Sequence, residues 1–139
     1  MPIHIGSLSN GEATFMASFI ANVKDQSSPR TTGKVLIDTG ATHTTINPRI
    51  VRDLKIKPVG AGTSLVVGAT IPTVESTFRL GIEVETLAGH TGMKLALISD
   101  ALVFGDIELG NIDCLLGMDI LADTTLFING PAQSFTLAF

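Results

Sequence analysis

Two short segments carry residue types and spacings that could do chemistry. In Val35-Leu36-Ile37-Asp38-Thr39-Gly40-Ala41, a carboxylate directly follows an apolar run. It precedes a glycine at which the chain can turn sharply. A carboxylate at the end of an apolar strand is costly unless it is hydrogen-bonded, bound to a metal or sharing a proton. Read alone, Asp38 serves equally well as the anchor of a turn, through bonds to its own backbone. The second segment is Ile112-Asp113-Cys114-Leu115-Leu116-Gly117-Met118-Asp119-Ile120-Leu121, an apolar strand running through glycine into a short helix. Taken alone it also reads as ordinary core. Gly117 permits close backbone approach, which would let this strand cross beside the loop carrying Asp38. Asp119, near a helix start where negative charge is favoured, reads as the maker of a structural hydrogen bond or salt bridge.

Together and in this order, the two segments resemble the signatures of the retropepsin-like aspartic proteases. The resemblance spans residues 33 to 139 and is closest to single-domain cellular members related to the DNA-damage-inducible proteins. Asp38-Thr39-Gly40-Ala41 looks like the family's catalytic loop, and Leu115 to Leu121 looks like its second signature, with Leu116 and Gly117 in support of the loop. Asn129-Gly130-Pro131 and the strand after it look like the hairpin that closes such domains. The resemblance implies that Asp38 is catalytic, that Thr39 hydrogen-bonds across a dimer axis and that Gly40 turns its N–H toward Asp38. Some family members carry a Ser at the position of Ala41, whose hydroxyl bonds the carboxylate.

Peptide hydrolysis without a metal or a covalent nucleophile needs one carboxyl group to take a proton from water and another to give one to the substrate. Two carboxyl groups in contact cannot both ionise easily, so they share a proton and titrate as a pair. This chain has one Asp-Thr-Gly; its nearest rival, Asp123-Thr124-Thr125, lacks the glycine and ends no strand. A second carboxyl must therefore come from another molecule, with a two-fold axis between the Asp38 side chains. The expected partners are a second copy of the chain and a peptide, unfolded-protein or polyprotein substrate.

Positioning Asp38 this way requires a β framework. Apolar runs of strand length recur at Thr14–Val23, Gly33–Ile37, Ser64–Val67, Thr77–Val84, Met93–Ile98, Leu102–Leu109 and Phe135–Phe139, each bounded by turn-forming clusters. Two stretches predict short helices. One is Pro48–Leu54, with Asn47 as cap and Pro at the first position, and the other is Met118–Ala122. The predicted class is mostly β, a closed or heavily curled sheet. The resemblance sharpens this to a closed retropepsin-like acid-protease β-barrel with one or two short helices, a single domain over residues 1–139. The first 30 residues match nothing sharply, though the family places an outer strand there. A lid that excludes water is expected over Thr63 to Glu75, with Val67, Gly68, Ala69 and Thr70 at or beside its hairpin tip. An ordinary surface hairpin fits that stretch as well, and the chain has no Tyr for the role that pepsin-like relatives give an aromatic in the flap.

Composition narrows the alternatives. A chain of 139 residues and 14.6 kDa suits one compact domain that folds without a disulfide or metal. Hydrophobic residues make up 45% and charged residues only 16%, which argues against disorder and hints at apolar surface reserved for a partner. The net charge of −4, with no Trp or Tyr, disfavours nucleic acid as a ligand. One cysteine, Cys114, excludes an internal disulfide and a multi-thiolate zinc site, and it reads as a buried core residue. His4, His43 and His90 are scattered, so no metal site is expected; His43 reads as a solvated loop residue close enough to Asp38 to tune substrate preference. No cofactor is expected.

Gly60-Ala61-Gly62 and Gly33-Lys34 fall short of phosphate-binding loops, and no Gly-x-Ser-x-Gly elbow is present. Arg49, Arg52, Lys55 and Lys57 read as the solvated face of the first helix. No apolar run is long enough to span a bilayer, and the N-terminus lacks the charge and apolar core of a secretory signal, so a cytoplasmic location is expected. The sequence thus points to a homodimeric aspartic endopeptidase. Its alternatives are a dimeric module that keeps the fold and only binds peptides, and a protease whose subunits meet productively only inside a larger assembly.

Overall fold

The computed structural model of the chain describes residues 2–64, 73–86, 99–103 and 111–139. Its strands are β1 (Ile3–Ser9), β2 (Glu12–Ile20), β3 (Arg30–Ile37), β4 (Thr45–Ile46), β5 (Gly60–Ser64), β6 (Thr73–Val84), β7 (Ser99–Val103), β8 (Cys114–Leu116), β9 (Thr125–Asn129) and β10 (Ser134–Ala138). Two short helices, α1 (Pro48–Leu54) and α2 (Met118–Leu121), complete the described elements. The strands run in the order β5-β6-β7-β4-β8-β3-β2-β1-β10-β9, and β6 also pairs with β2, so the sheet curls strongly on itself. The class is mostly β, as the run of short apolar segments predicts. Among the described residues, no helix is long and apolar enough to cross a membrane.

Period-two alternation builds the core. Ala13, Phe15, Ala17 and Phe19 of β2 point inward and are buried, while Glu12 and Met16 face solvent. Phe135 and Leu137 of β10 are fully buried on the same principle. Each large side chain so placed contributes roughly 1.5–3 kcal/mol. Helix α1 forms where its start signals predict: the Asn47 side chain accepts from the Arg49 N–H at 2.9 Å, and Pro48 takes the position where no N–H is needed. Lys55, at a positive φ of 55°, ends it.

Several boundaries differ from the sequence reading. β2 stops at Ile20, short of Val23, because residues Asn22 to Ser28 fold into a turn held by the Asn22, Asp25 and Ser28 side chains. β6 begins at Thr73, four residues before the predicted start, where it pairs with Ser64 of β5. β5 runs over Gly60–Ser64 and so includes the first residue of the predicted Ser64–Val67 strand; residues 65–67 lie outside the described residues. β7 covers Ser99–Val103; the rest of the predicted Leu102–Leu109 strand, and all of Met93–Ile98, lie outside the described residues. Arg49 is not merely part of a solvated helix face. Its guanidinium donates to the Thr32 carbonyl and pairs with Asp53 at 2.8 Å and with Asp113 at 3.1 Å, tying α1 to β3 and to the segment that leads into β8. Burial alone would lower this group, but hydrogen bonds and charge from Asp113 and Asp53 outweigh it and hold it above its ordinary value.

The feature that positions the site is a crossing. β8 runs parallel to β3 on one side, with Ile37 beside Leu116, and antiparallel to β4 on the other, with Thr45 beside Leu115. The chain leaves β3 and enters β4 on the opposite flank of β8, so the loop between them must pass over the end of β8. It does so at Gly117. A Cβ added there would lie 2.6 Å from the His43 carbonyl carbon and 2.9 Å from the Thr44 nitrogen, closer than any side chain allows. Gly117→Ala should therefore force the backbones apart and lower stability by about 2–4 kcal/mol in chemical denaturation. β8 also holds Cys114, fully buried, whose thiol burial pushes up, with the Asp119 and Asp113 charges adding to it. It should resist alkylation in the native protein at mildly alkaline pH and react only on unfolding, which a thiol-labelling time course checks.

Candidate active site

Asp38 follows β3 directly and is half-buried, where the sequence places a carboxylate at a strand end. Its N–H donates to the Leu116 carbonyl at 3.0 Å, which makes Leu116 a direct support of the loop. The chain then turns tightly: the Ala41 N–H donates to the Asp38 carbonyl at 3.1 Å, and the Gly40 N–H donates to Asp38 Oδ1 at 3.0 Å. The Gly40 donor fixes one carboxylate oxygen. The same bond fits the turn-anchor reading, so it does not by itself separate structure from chemistry. Thr39 and Gly40 are exposed, and Ala41 is half-buried.

Behind the loop, a clasp holds the crossing together. The Thr44 hydroxyl, completely buried, donates to Asp119 Oδ1 at 2.7 Å and accepts from the Gly117 N–H at 3.0 Å. The Thr44 N–H donates to the same carboxylate at 3.0 Å, and Asp119 also accepts from its neighbour Ile120 N–H at 2.9 Å. Backbone bonds from Met118 to the Ala41 carbonyl (2.8 Å) and from Asp119 to the Thr42 carbonyl (3.1 Å) fasten the start of α2 under the loop. Asp119 is thus the structural acceptor that its place at a helix start predicts. Its carboxylate is charge-assisted at every bond, the stronger kind.

The structure places Asp38, Thr39, Gly40 and Ala41 in one loop that lies against Leu116 and the Gly117 crossing. The lid residues Val67, Gly68, Ala69 and Thr70 lie outside the described residues; β5 and β6, which flank them, are paired from Gly60–Thr77 to Ser64–Thr73. Thr44 was not legible as a site support, since nothing in Thr42-His43-Thr44-Thr45 distinguishes it. Its buried hydroxyl is found only once Gly117 and Asp119 are placed beside it. Asp113 was missed too: it accepts from the Lys34 N–H at 3.0 Å and fixes the register of β8 against β3. Among the described residues no group of three or more His, Cys, Asp or Glu side chains is arranged to hold a metal.

Comparison with known proteins agrees with this geometry. The sequence model of the family described as aspartyl protease matches residues 21–120, more than half of the chain, including Asp38-Thr39-Gly40-Ala41 and the second signature up to Ile120. No curated protein sequence matches. Among solved structures, a retropepsin-like aspartic protease from Rickettsia conorii is similar over 99% of this chain and 90% of its own, with 20% identity and a TM-score of 0.61. At that identity the likeness speaks for the fold, and the family match speaks for the signatures. The chain belongs to the aspartyl protease family and has a retropepsin-like fold.

Proposed function

We propose that this protein is an aspartic endopeptidase whose active unit is a homodimer. One observation carries the reading. The chain has a single Asp-Thr-Gly, its Asp38 is held by Gly40 and Leu116, and its Thr39 and Gly40 lie open at the surface. That is half of a two-carboxyl site, and a symmetric second copy supplies the other half. Residues 1–139 act in this reading as one domain and one half-site. The pairing of β6 with β2 supports a closed barrel around it.

In the dimer, the two Asp38 carboxyl groups share a proton and hold a water between them. The ionised carboxylate removes a proton from that water as its oxygen attacks the scissile carbonyl carbon. The protonated carboxyl gives its proton to the carbonyl oxygen, so charge never accumulates on the tetrahedral species. Proton transfer to the amide nitrogen then lets the C–N bond break. The Gly40 N–H keeps Asp38 Oδ1 aimed, and Thr39 of each subunit braces the opposite loop across the axis. The stretch from Thr63 to Glu75 is the proposed lid over the substrate; its residues 65–72 lie outside the described residues.

Cleavage of a diverse peptide library from about pH 4 to about pH 8 tests this reading, because general acid–base catalysis supplies about 10²–10⁴-fold of rate. Asp38→Asn should lose at least that factor while keeping its fold, and wild-type activity per chain should fall on dilution. If neither protein cleaves while both remain folded dimers, the fold serves peptide binding only; cleavage by both would remove Asp38 from the mechanism. A second variant probes the loop. A hydroxyl donating to the ionised carboxylate favours the charged form, so Ala41→Ser should move the acid limb of the pH–rate profile toward lower pH. An unmoved profile would show that residue 41 does not address the carboxylate.

A further inference from the structure

β8 is only three residues long, so its own ladder bonds offer little resistance to a slip along β3. Asp38 takes its height from the last rung of that ladder, the bond of its N–H to the Leu116 carbonyl. A slip of β8 would therefore move the carboxyl. The downstream end of the ladder is fixed at the Gly117 crossing, and a second glycine serves the upstream end. A Cβ added at Gly33 would lie 2.9 Å from Asp113 Cβ and 3.0 Å from its Oδ2. The bare backbone of β3 is what lets Asp113 lie across it.

Asp113 uses every polar group it has at this point. Its N–H donates to the Lys34 carbonyl at 2.8 Å, and its carbonyl accepts from the Asn47 N–H at 2.7 Å. Its Oδ2 accepts from the Lys34 N–H at 3.0 Å, and its Oδ1 pairs with Arg49 Nη2 at 3.1 Å. Arg49 is held just as firmly. Nη2 also donates to the Thr32 carbonyl at 3.0 Å, while Nη1 donates to Asp53 at 2.8 Å and to the Thr31 hydroxyl at 3.1 Å. Bridging so many acceptors needs the planar fork of a guanidinium, which a lysine does not reproduce. Asn47 and Arg49 stand at the start of α1, so the two residues anchor the ladder to a helix outside the Asp38 loop.

We propose that Arg49 and Asp113 are positioning residues for the Asp38 carboxyl. They pin the upstream end of the β3–β8 ladder, and through its register they set where the carboxyl stands at the downstream end. Neither belongs to the Asp38 loop or to the signature from Leu115 to Leu121. The inference rests on the aspartic protease reading above and adds to it two residues that aim the catalytic group from a distance.

Steady-state cleavage and backbone amide exchange of Arg49→Met, Arg49→Lys and Asp113→Asn test the assignment, at concentrations that keep all chains dimeric. Each variant should lose up to about 10²-fold in kcat, the effect of a small misplacement of a reacting group. KM should stay unchanged, because the substrate-binding surface is intact. Arg49→Lys keeps the charge without the fork and should fall with Arg49→Met. The double variant Arg49→Met/Asp113→Asn should lose no more than the worse single one, since both act through one contact. The Asp38 amide should exchange faster in each variant, while that of Leu137, between β1 and β9, should not. Arg30→Met is the control: it removes the Arg30–Glu83 ion pair, 2.8 Å long, from the first residue of β3, and should leave kcat and the Asp38 amide as they are. Equal kcat losses in Arg30→Met and Arg49→Met overturn the assignment, as does an Asp38 amide that exchanges no faster in the variants than in wild type. A wild type that cleaves nothing sinks the protease reading, and the amide exchange then decides by itself whether Arg49 and Asp113 hold Asp38.

Discussion

The site depends on a backbone crossing with no room for a side chain. The loop between β3 and β4 has to pass over the end of β8, and at Gly117 the two backbones approach so closely that even a methyl group would overlap the His43 carbonyl. Close approach of this kind brings polar backbone groups into a region without water, where each needs a partner. Thr44 and Asp119 supply them: one buried hydroxyl satisfies the Gly117 N–H, and one carboxylate gathers the Thr44 hydroxyl, the Thr44 N–H and the Ile120 N–H. The crossing and its clasp are therefore one device. They hold Asp38 at a fixed height against β8, through its bond to Leu116.

That rigidity bears directly on the proposed two-carboxyl site. The carboxyl pair of an aspartic protease has to approach to hydrogen-bonding distance, and small errors in position cost large factors in rate. In the proposed homodimer, a loop fixed by its own subunit would arrive at the dimer axis already shaped, so association would need only to bring two preformed halves together. The outer parts of the scaffold serve the same end. Arg49 ties α1 to β3 and to Asp113, and Asp113 in turn sets the register of β8 beside the strand that ends in Asp38. Changes far from the carboxylate would be felt through this chain of contacts.

The parts of this arrangement that the sequence displays are those with local signals. Asp38 stands at the end of an apolar run with a glycine after it, α1 begins with Asn47 and Pro48, and Gly117 interrupts an apolar strand; each can be read from a few neighbouring residues. β4 is two residues long and has no period to detect. β1 hides because its alternation is inverted: Ile3 and Ile5 face outward while His4 and Gly6 take the more sheltered positions, with His4 Nδ1 bonded to the Glu85 carbonyl at 2.7 Å. The turn after it, Asn10-Gly11, has both residues at positive φ, as a two-residue hairpin favours. The ties of Arg49 to Thr32 and Asp113, and those of Thr44 to Gly117 and Asp119, could not be read, because these partners are distant in sequence and only the sheet topology brings them together.

The central claim is that two Asp38 residues, one from each copy, make one active site. Mixing wild type with increasing proportions of Asp38→Asn at constant total concentration, high enough to keep all chains dimeric, tests it most directly. If both carboxyl groups are required, mixed dimers are inactive and cleavage falls as the square of the wild-type fraction, to about one quarter in an equal mixture. A fall in simple proportion, to about one half, would mean that each chain acts alone, and the two-carboxyl account would be wrong.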